Sequence, residues 1–320
     1  MFYKKIIFVL IFLMSLTLSF AQYTDVINSN RPGESMSAFA VGKTLFQTEV
    51  GLSKIREDHN TLLYNANGYG LDFALRYGML ASEFELVVGA QYQKDTYTFG
   101  NYQLDRSGLK RFNIGGKYLF YDPYKKEKKP NLYSWKANHS FKWSSLIPAI
   151  SGFVGLNFNF SNNEFSAVNQ PPFSPKIMLI TQNQFSGAQV FVMNFYMDNA
   201  TSDNSTLGYV LTYTKGFNDH WSAFIENKGF KSNFYSDAIA TGGVAYLFDK
   251  SKQVDVSISK SFKNSPDLLY GGVGFSWRFD GNYQPDKVKV AKKKKSKKDK
   301  NKDKAKEAEK KRIDAAGEKK

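Results

Sequence analysis

The sequence predicts an all-β chain: a transmembrane antiparallel β-barrel of about 12 strands, followed by a disordered basic C-terminal tail. Three observations carry this. Long stretches alternate apolar and polar residues with a period of two. The connections between them alternate short and long. The composition is 16% aromatic, with 28 Phe, 19 Tyr and 24 Gly but only 9 Pro, a balance that favours strands.

Composition also excludes much. The 320 residues contain no Cys, which removes disulfides, thiolate metal sites, a Cys nucleophile and a lipidated N-terminal Cys. Apolar residues reach 42%, too few for a bundle of membrane-crossing helices. The net charge of +15 is uneven. Residues 287–320 carry 17 Lys/Arg and 6 Asp/Glu, whereas the other 286 residues carry 27 and 23. The folded part is therefore near neutral, and the basic character gives no ground for nucleic-acid binding.

The chain opens with Lys4 and Lys5, an apolar run Ile6–Leu18, and small residues Ser19 and Ala21 before Gln22. That reads as a secretory signal peptide over 1–21. Its core is far shorter than the roughly 20 residues a membrane-crossing helix needs. Residues 22–42 are expected to be a periplasmic segment, either a loose leader or a plug inside the barrel. The barrel itself is expected over 43–280.

The first strand sets Phe46, Thr48, Val50 and Leu52 against Gln47, Glu49, Gly51 and Ser53. The next sets Tyr69, Leu71, Phe73, Leu75, Tyr77 and Met79 against Gly70, Asp72, Ala74, Arg76 and Gly78. Phe84, Leu86, Val88, Ala90 and Tyr92 follow, then Phe112, Ile114, Gly116, Tyr118 and Phe120, then Val154, Leu156, Phe158 and Phe160. Strand-like runs at 176–185 and 189–197 have ambiguous faces. Five more lie at 207–215, 221–228, 239–248, 254–261 and 269–279. Short connections are expected at 80–82, 186–188, 217–220 and 249–252. Longer ones are expected at 55–67, 94–107, 161–175, 198–205, 230–236 and 263–267. The stretch 121–149 breaks this rule and could hold a short helix or an extra strand pair around Tyr133–Trp143. Soluble sandwiches alternate too, but their strands typically run 5–6 residues. In hydrocarbon, only helices and closed barrels pair every backbone N–H and C=O. The closing strand places Phe275, Trp277 and Phe279 on one face, a pattern similar to the signal read by the outer-membrane assembly machinery.

The alternation turns Glu49, Asp72, Glu85, Glu226 and Asp255 inward, with Arg76, Arg111, Lys117, Lys228 and Arg278. Five acids and five bases in a barrel of this size should pair across the lumen, leaving at most a narrow, gated path. If residues 22–42 form a plug, Arg31 is expected to meet an inward acid such as Glu85.

Several short motifs in order resemble one known family. They are Asn30-Arg31-Pro32-Gly33-Glu34-Ser35, Gly42-Lys43, Phe46-Gln47-Thr48-Glu49-Val50-Gly51, Leu75-Arg76-Tyr77-Gly78 with Phe84-Glu85-Leu86, and Ile114-Gly115-Gly116-Lys117-Tyr118. Phe224-Ile225-Glu226, Gly243-Val244-Ala245-Tyr246-Leu247, Val254-Asp255 and Gly272-Val273-Gly274-Phe275-Ser276-Trp277-Arg278-Phe279 complete the set. The resemblance is to the family named for the MetA pathway of phenol degradation, in the style of a Bacteroidota member. It spans roughly residues 25–280. Asn30 stands where an acid is usual, and the Lys-rich tail is a further departure. The expected function is passing or binding small molecules, hydrophobic ones among them, through a narrow gated lumen; the resemblance itself implies an outer-membrane barrel with a transporter label. It supplies no substrate, cofactor or catalytic residues.

An enzyme is not expected. The three His are His59, His139 and His220, and only His59, beside Asp58, falls in an extracellular loop, where a solvated role is the simpler reading. No metal-ligand spacing, phosphate loop or nucleophile elbow occurs. The expected setting is the outer membrane, in contact with its lipid. Residues 281–320 are expected in the periplasm, where 287–320 could bind peptidoglycan or an acidic periplasmic protein, or remain a solvated tail. The alternative to a transporter is a structural subunit of an envelope complex, tethered by that tail.

Overall fold

A computed structural model describes residues 26–125, 143–160, 163–166 and 170–281. Twelve strands form one closed antiparallel ring, each paired with its sequence neighbours and the first with the last. They are β1 (Phe46–His59), β2 (Tyr64–Gly78), β3 (Phe84–Phe99), β4 (Tyr102–Tyr121), β5 (Ala149–Phe158), β6 (Phe173–Phe185), β7 (Gln189–Asp198), β8 (Thr206–Gly216), β9 (Trp221–Ser232), β10 (Ser236–Asp249), β11 (Lys252–Ser261) and β12 (Asp267–Phe279).

The pleat separates the two faces as the alternation requires. On β1, Gln47, Glu49 and Gly51 are buried while Phe46, Val50 and Leu52 are exposed. Exposed apolar residues continue around the ring, with Val154, Ile225, Val256, Ile258 and Val273 each more than half exposed. An apolar exterior around a buried polar interior is the inverse of a soluble domain and is what a bilayer demands. Phe275, Trp277 and Phe279 sit on this outer face, and the rings of Trp277 and Phe279 lie 4.0 Å apart.

Two expected long connections are wrong. Residues 55–67 and 94–107 are mostly strand, with turns only at 60–63 and 100–101. The charged Lys54, Arg56 and Asp58 face outward on β1, and Lys94 on β3. Their polarity reads as loop, but a strand that extends beyond the lipid can face water on both sides. Gly100, at φ 56°, closes the β3–β4 hairpin in two residues. The expected contrast between short and long sides is therefore carried mainly by 159–172 and 199–205. Of 121–149, the described part contains one 3-10 turn, Trp143–Leu146. The extra strand pair around Tyr133–Trp143 lies almost wholly outside the described residues, as do the signal peptide and all of the tail beyond Gly281.

The interior is not empty. Residues 27–45 line it with Ala38, Phe39, Val41 and Leu45 buried. Ala38 and Phe39 form a cluster with Val87, Leu119, Ala149, Phe153, Met178 and Ile180, all inward-facing.

Candidate functional site

The inner segment enters beside the turn after β10, where Ile27 N–H donates to Lys250 O at 2.8 Å. It leaves beside β2, where Thr44 N–H donates to Gly78 O at 2.8 Å. Gly42 and Thr44 have φ of 104° and 64°, and they turn the chain from the lumen into β1. Between these points the segment has no regular secondary structure, so its peptide groups need partners from elsewhere. The inward side chains supply them.

At the terminus-proximal end, Arg76 lies between two limbs of the segment. Its Nη1 donates to Asn28 O at 2.5 Å and its Nη2 to Phe39 O at 3.2 Å. The same guanidinium holds Glu85 through two bonds of 3.1 Å and Glu49 at 3.4 Å. Lys117 Nζ donates to Ser37 O at 2.6 Å and Phe39 O at 2.8 Å, and pairs with Glu85 at 2.7 Å. Glu85 accepts Val41 N–H at 2.8 Å, and Glu49 accepts Asn30 N–H at 3.2 Å. The side chains of Arg76, Glu85 and Lys117 are completely buried.

Farther into the lumen, Glu226 accepts the N–H of Glu34 at 3.0 Å, the N–H of Ser35 at 3.3 Å and the Thr212 hydroxyl at 2.7 Å. The Glu34 carboxylate receives Lys228 Nζ at 2.5 Å and Arg111 Nη1 at 3.4 Å. Arg31 donates to Asp255 at 3.2 Å and lies 4.0 Å from Asp72. Its guanidinium rests on Gly51 and Gly274, which oppose each other across the β1–β12 pair. A Cβ at either would come within 2.1 Å of that side chain. No larger residue leaves room for it.

Neutral side chains complete the match. Asn194 accepts Met36 N–H at 2.6 Å and donates to Met36 O at 2.9 Å, as a strand neighbour would. Gln182 accepts Ala38 N–H at 3.0 Å, and Ser151 donates to Ala38 O at 2.5 Å. Outside the strands, Tyr124 packs on Phe39 with ring centroids 6.2 Å apart, and burial pushes its phenol above the usual tyrosine range.

The structure thus sorts the ten sequence-predicted lumen residues. Glu49, Arg76, Glu85 and Lys117 form one buried cluster. Asp72 and Asp255 face Arg31. Arg111, Glu226 and Lys228 surround Glu34. Arg278 instead pairs with Asp280 at 2.7 Å, at the end of β12. Two expectations need correction. Only the first cluster pairs wall to wall, while most of the others meet the inner segment. Arg31 meets Asp255 rather than Glu85, because Glu85 is already engaged by Arg76, Lys117 and Val41. Lys110 was missed. A β-bulge places it as an extra residue on β4 between Leu109 and Arg111, and it donates to Gln93 at 2.8 Å. His59 accepts Leu62 N–H at 3.0 Å within its own turn, while Asp58 pairs with Arg56 at 2.7 Å.

Beyond the tip of the segment, residues 30–36, a cavity of about 520 Å³ opens toward the outer halves of the strands. A second hollow of about 630 Å³ lies in the wall between β6 and β10, lined by lipid-facing Ile177, Leu179, Phe195 and Leu207.

The family described as "Putative MetA-pathway of phenol degradation" matches residues 29–279. No curated protein matches the chain by sequence. Among solved structures, an outer-membrane channel of the COG4313 group from Pseudomonas putida F1 is similar at a TM-score of 0.52 and 9% identity, over 79% of this chain and 100% of that one. A KdgM porin in complex with oligogalacturonate aligns at a TM-score of 0.44 and 10% identity, over 72% and 99%. The translocator domain of the autotransporter NalP from Neisseria meningitidis aligns at 0.45 and 7%, over 74% and 89%. The first likeness speaks to the fold, an outer-membrane β-barrel; the other two are too distant to argue from.

Proposed function

The chain belongs to the family described as "Putative MetA-pathway of phenol degradation", and from that premise we propose that it is a transporter-like barrel of the outer membrane. In this reading it passes or binds small molecules in a lumen that residues 27–45 occupy and gate. One observation carries the proposal. Outside one apolar contact at Ala38 and Phe39, the inner segment is held by hydrogen bonds and ion pairs to individual wall side chains, and a cavity lies directly beyond its tip. Such a segment closes the lumen yet can be released piece by piece. A purely structural barrel would have no need of a cavity there.

The wall hollow, lined by lipid-facing apolar side chains, supports hydrophobic molecules among the ligands. The reading assigns no catalysis to the chain. It includes removal of residues 1–21 and a periplasmic position for both ends of the barrel: the even strand number puts them on one side, and the short turns at 186–188, 217–220 and 250–251 favour the periplasmic one.

Single-channel recording tests it. Deleting residues 29–40 removes the segment's contacts with Glu49, Lys117 and Glu226 and is expected to raise conductance severalfold above that of the intact protein. Equal conductance from both proteins, in samples that both show heat-shifted gel migration, would overturn the proposal.

A further inference from the structure

We propose that the cavity beyond the inner segment is a binding site for small carboxylates with an apolar body, and that Glu34 occupies it as an internal competitor. The inference rests on the transporter reading and names its ligand class.

The charges around the cavity divide by their commitments. Arg31 is held by Asp255 and Lys176 by Asp198, at 3.2 Å each. Glu226 serves backbone N–H groups, and Glu57 accepts the Tyr64 hydroxyl at 2.6 Å. Asp72 lies 4.0 Å from Arg31 and accepts from Gln91 at 2.8 Å. What is left is Arg111 and Lys228 on the carboxylate of Glu34, with Lys110 lining the same cavity. Lys110 has no carboxylate within 4.0 Å among the described residues, and its ammonium donates to the neutral Gln93. Three cations from two strands, β4 and β9, thus line the cavity, and two of them share the one carboxylate of Glu34. Like charges so placed favour a further or stronger anion.

Glu34 is the movable member. It belongs to a segment without secondary structure, and its side chain is 37% exposed to the cavity. Its backbone N–H is bound separately, to Glu226. The carboxylate can therefore leave Lys228 and Arg111 while the segment stays anchored. A soluble carboxylate can then take both cations and add Lys110. Phe153, Met178, Phe230 and Tyr270 line the same cavity and offer an apolar surface to the rest of the ligand. Its volume, about 520 Å³, lies within the usual range for small-ligand sites.

The test is isothermal titration of the detergent-solubilised full chain with sodium benzoate. Benzyl alcohol provides the same body without charge, and sodium acetate the charge without the body. Benzoate is expected to saturate, with both controls at least tenfold weaker. Glu34→Gln removes the competitor and should tighten benzoate roughly tenfold. Lys228→Gln and Arg111→Gln, on different strands, should each abolish saturation. Heat-shifted migration shows which variants fold, and either cation variant suffices with Glu34→Gln. Benzyl alcohol binding as well as benzoate, or Glu34→Gln binding no tighter than the intact chain, would overturn the proposal. Failure here with raised conductance after deletion of 29–40 leaves the transporter reading intact. The benzoate pattern without that conductance change would keep the site and remove passage.

Discussion

Replacing Arg76 by Met should loosen the inner segment while sparing the barrel. Arg76 makes bonds to Asn28 O, Phe39 O, Glu49 and both oxygens of Glu85. Removing one member of a buried ion pair costs about 3–5 kcal/mol. Here the lower end applies, because the orphaned groups keep other partners. Glu85 retains Lys117 at 2.7 Å, Glu49 retains Gln47 at 2.7 Å, Phe39 O retains Lys117 at 2.8 Å and Asn28 O retains Gln47 at 3.2 Å. About 3 kcal/mol corresponds to a factor of roughly 150 in the equilibrium between seated and released segment. The strand ladders do not use the guanidinium, so the loss should be local. Amide hydrogen exchange reads it directly. The amides of Asn30, Glu34, Met36, Ala38 and Val41 should lose protection by about that factor, while those of Val50 and Val256, in the ladders, should not change. Unaltered protection at 30–41 in a folded variant would refute the reasoning. So would a uniform drop that includes the strands, since it would make Arg76 a support of the ring itself.

Two further outcomes follow from the two faces of the wall. Val273, in mid-strand on the lipid face, and Leu269, in the row with Arg56 and Lys260, differ in depth. Val273→Arg should destabilise the barrel by about 2–4 kcal/mol and Leu269→Arg by about 0–1 kcal/mol, read from denaturant unfolding in liposomes. On the inner face, Gly274→Val should expel the Arg31 guanidinium and leave Asp255 without its ion pair. The amide of Asn30 should then exchange faster, and Gly271→Val, which faces lipid, should have no such effect.

Much of this architecture is legible in the sequence because a period of two carries two pieces of information at once. In the lipid-crossing halves of β1 to β4, Glu49, Arg76, Glu85 and Lys117 fall on the face opposite a mainly apolar row, so they can be placed without a structure. On β6 and β7 the code fails. Met178 and Ile180 face inward while Ile177 and Leu179 face lipid, so both faces are apolar and the faces stay ambiguous. Gln182 and Asn194, which hold the inner segment, were hidden by that ambiguity. Lys110 was hidden by the bulge, which breaks the period at one residue. The segment itself has no periodicity to read. Its path depends on partners more than two hundred residues away, such as Asp255 for Arg31, and local sequence does not encode those.

The lumen charges follow a rule beyond sign balance, and that rule can be tested by exchange. Carboxylates of the wall accept from N–H groups of the segment: Glu49 from Asn30, Glu85 from Val41, Glu226 from Glu34 and Ser35. Cations of the wall donate to its carbonyls: Arg76 to Asn28 and Phe39, Lys117 to Ser37 and Phe39. If ion pairing alone mattered, swapping Glu85 and Lys117 in an Arg76→Met background, which removes the other partner of Glu85, would preserve it, since the two sit opposite each other on β3 and β4. If backbone matching matters, Glu85→Lys combined with Lys117→Glu sets an ammonium against the Val41 N–H and a carboxylate against two carbonyls. Both arrangements oppose like partial charges in a dry site, and each unsatisfied buried group costs about 1–3 kcal/mol, more when charged. The swap should therefore lower protection at Val41 and Ala38 beyond the loss that Arg76→Met alone produces, despite an intact Glu–Lys pair. Exchange equal to that of Arg76→Met alone in the swapped variant, with Glu85→Lys or Lys117→Glu by itself impaired further, would show that the pair is what counts and that the segment lies against it passively.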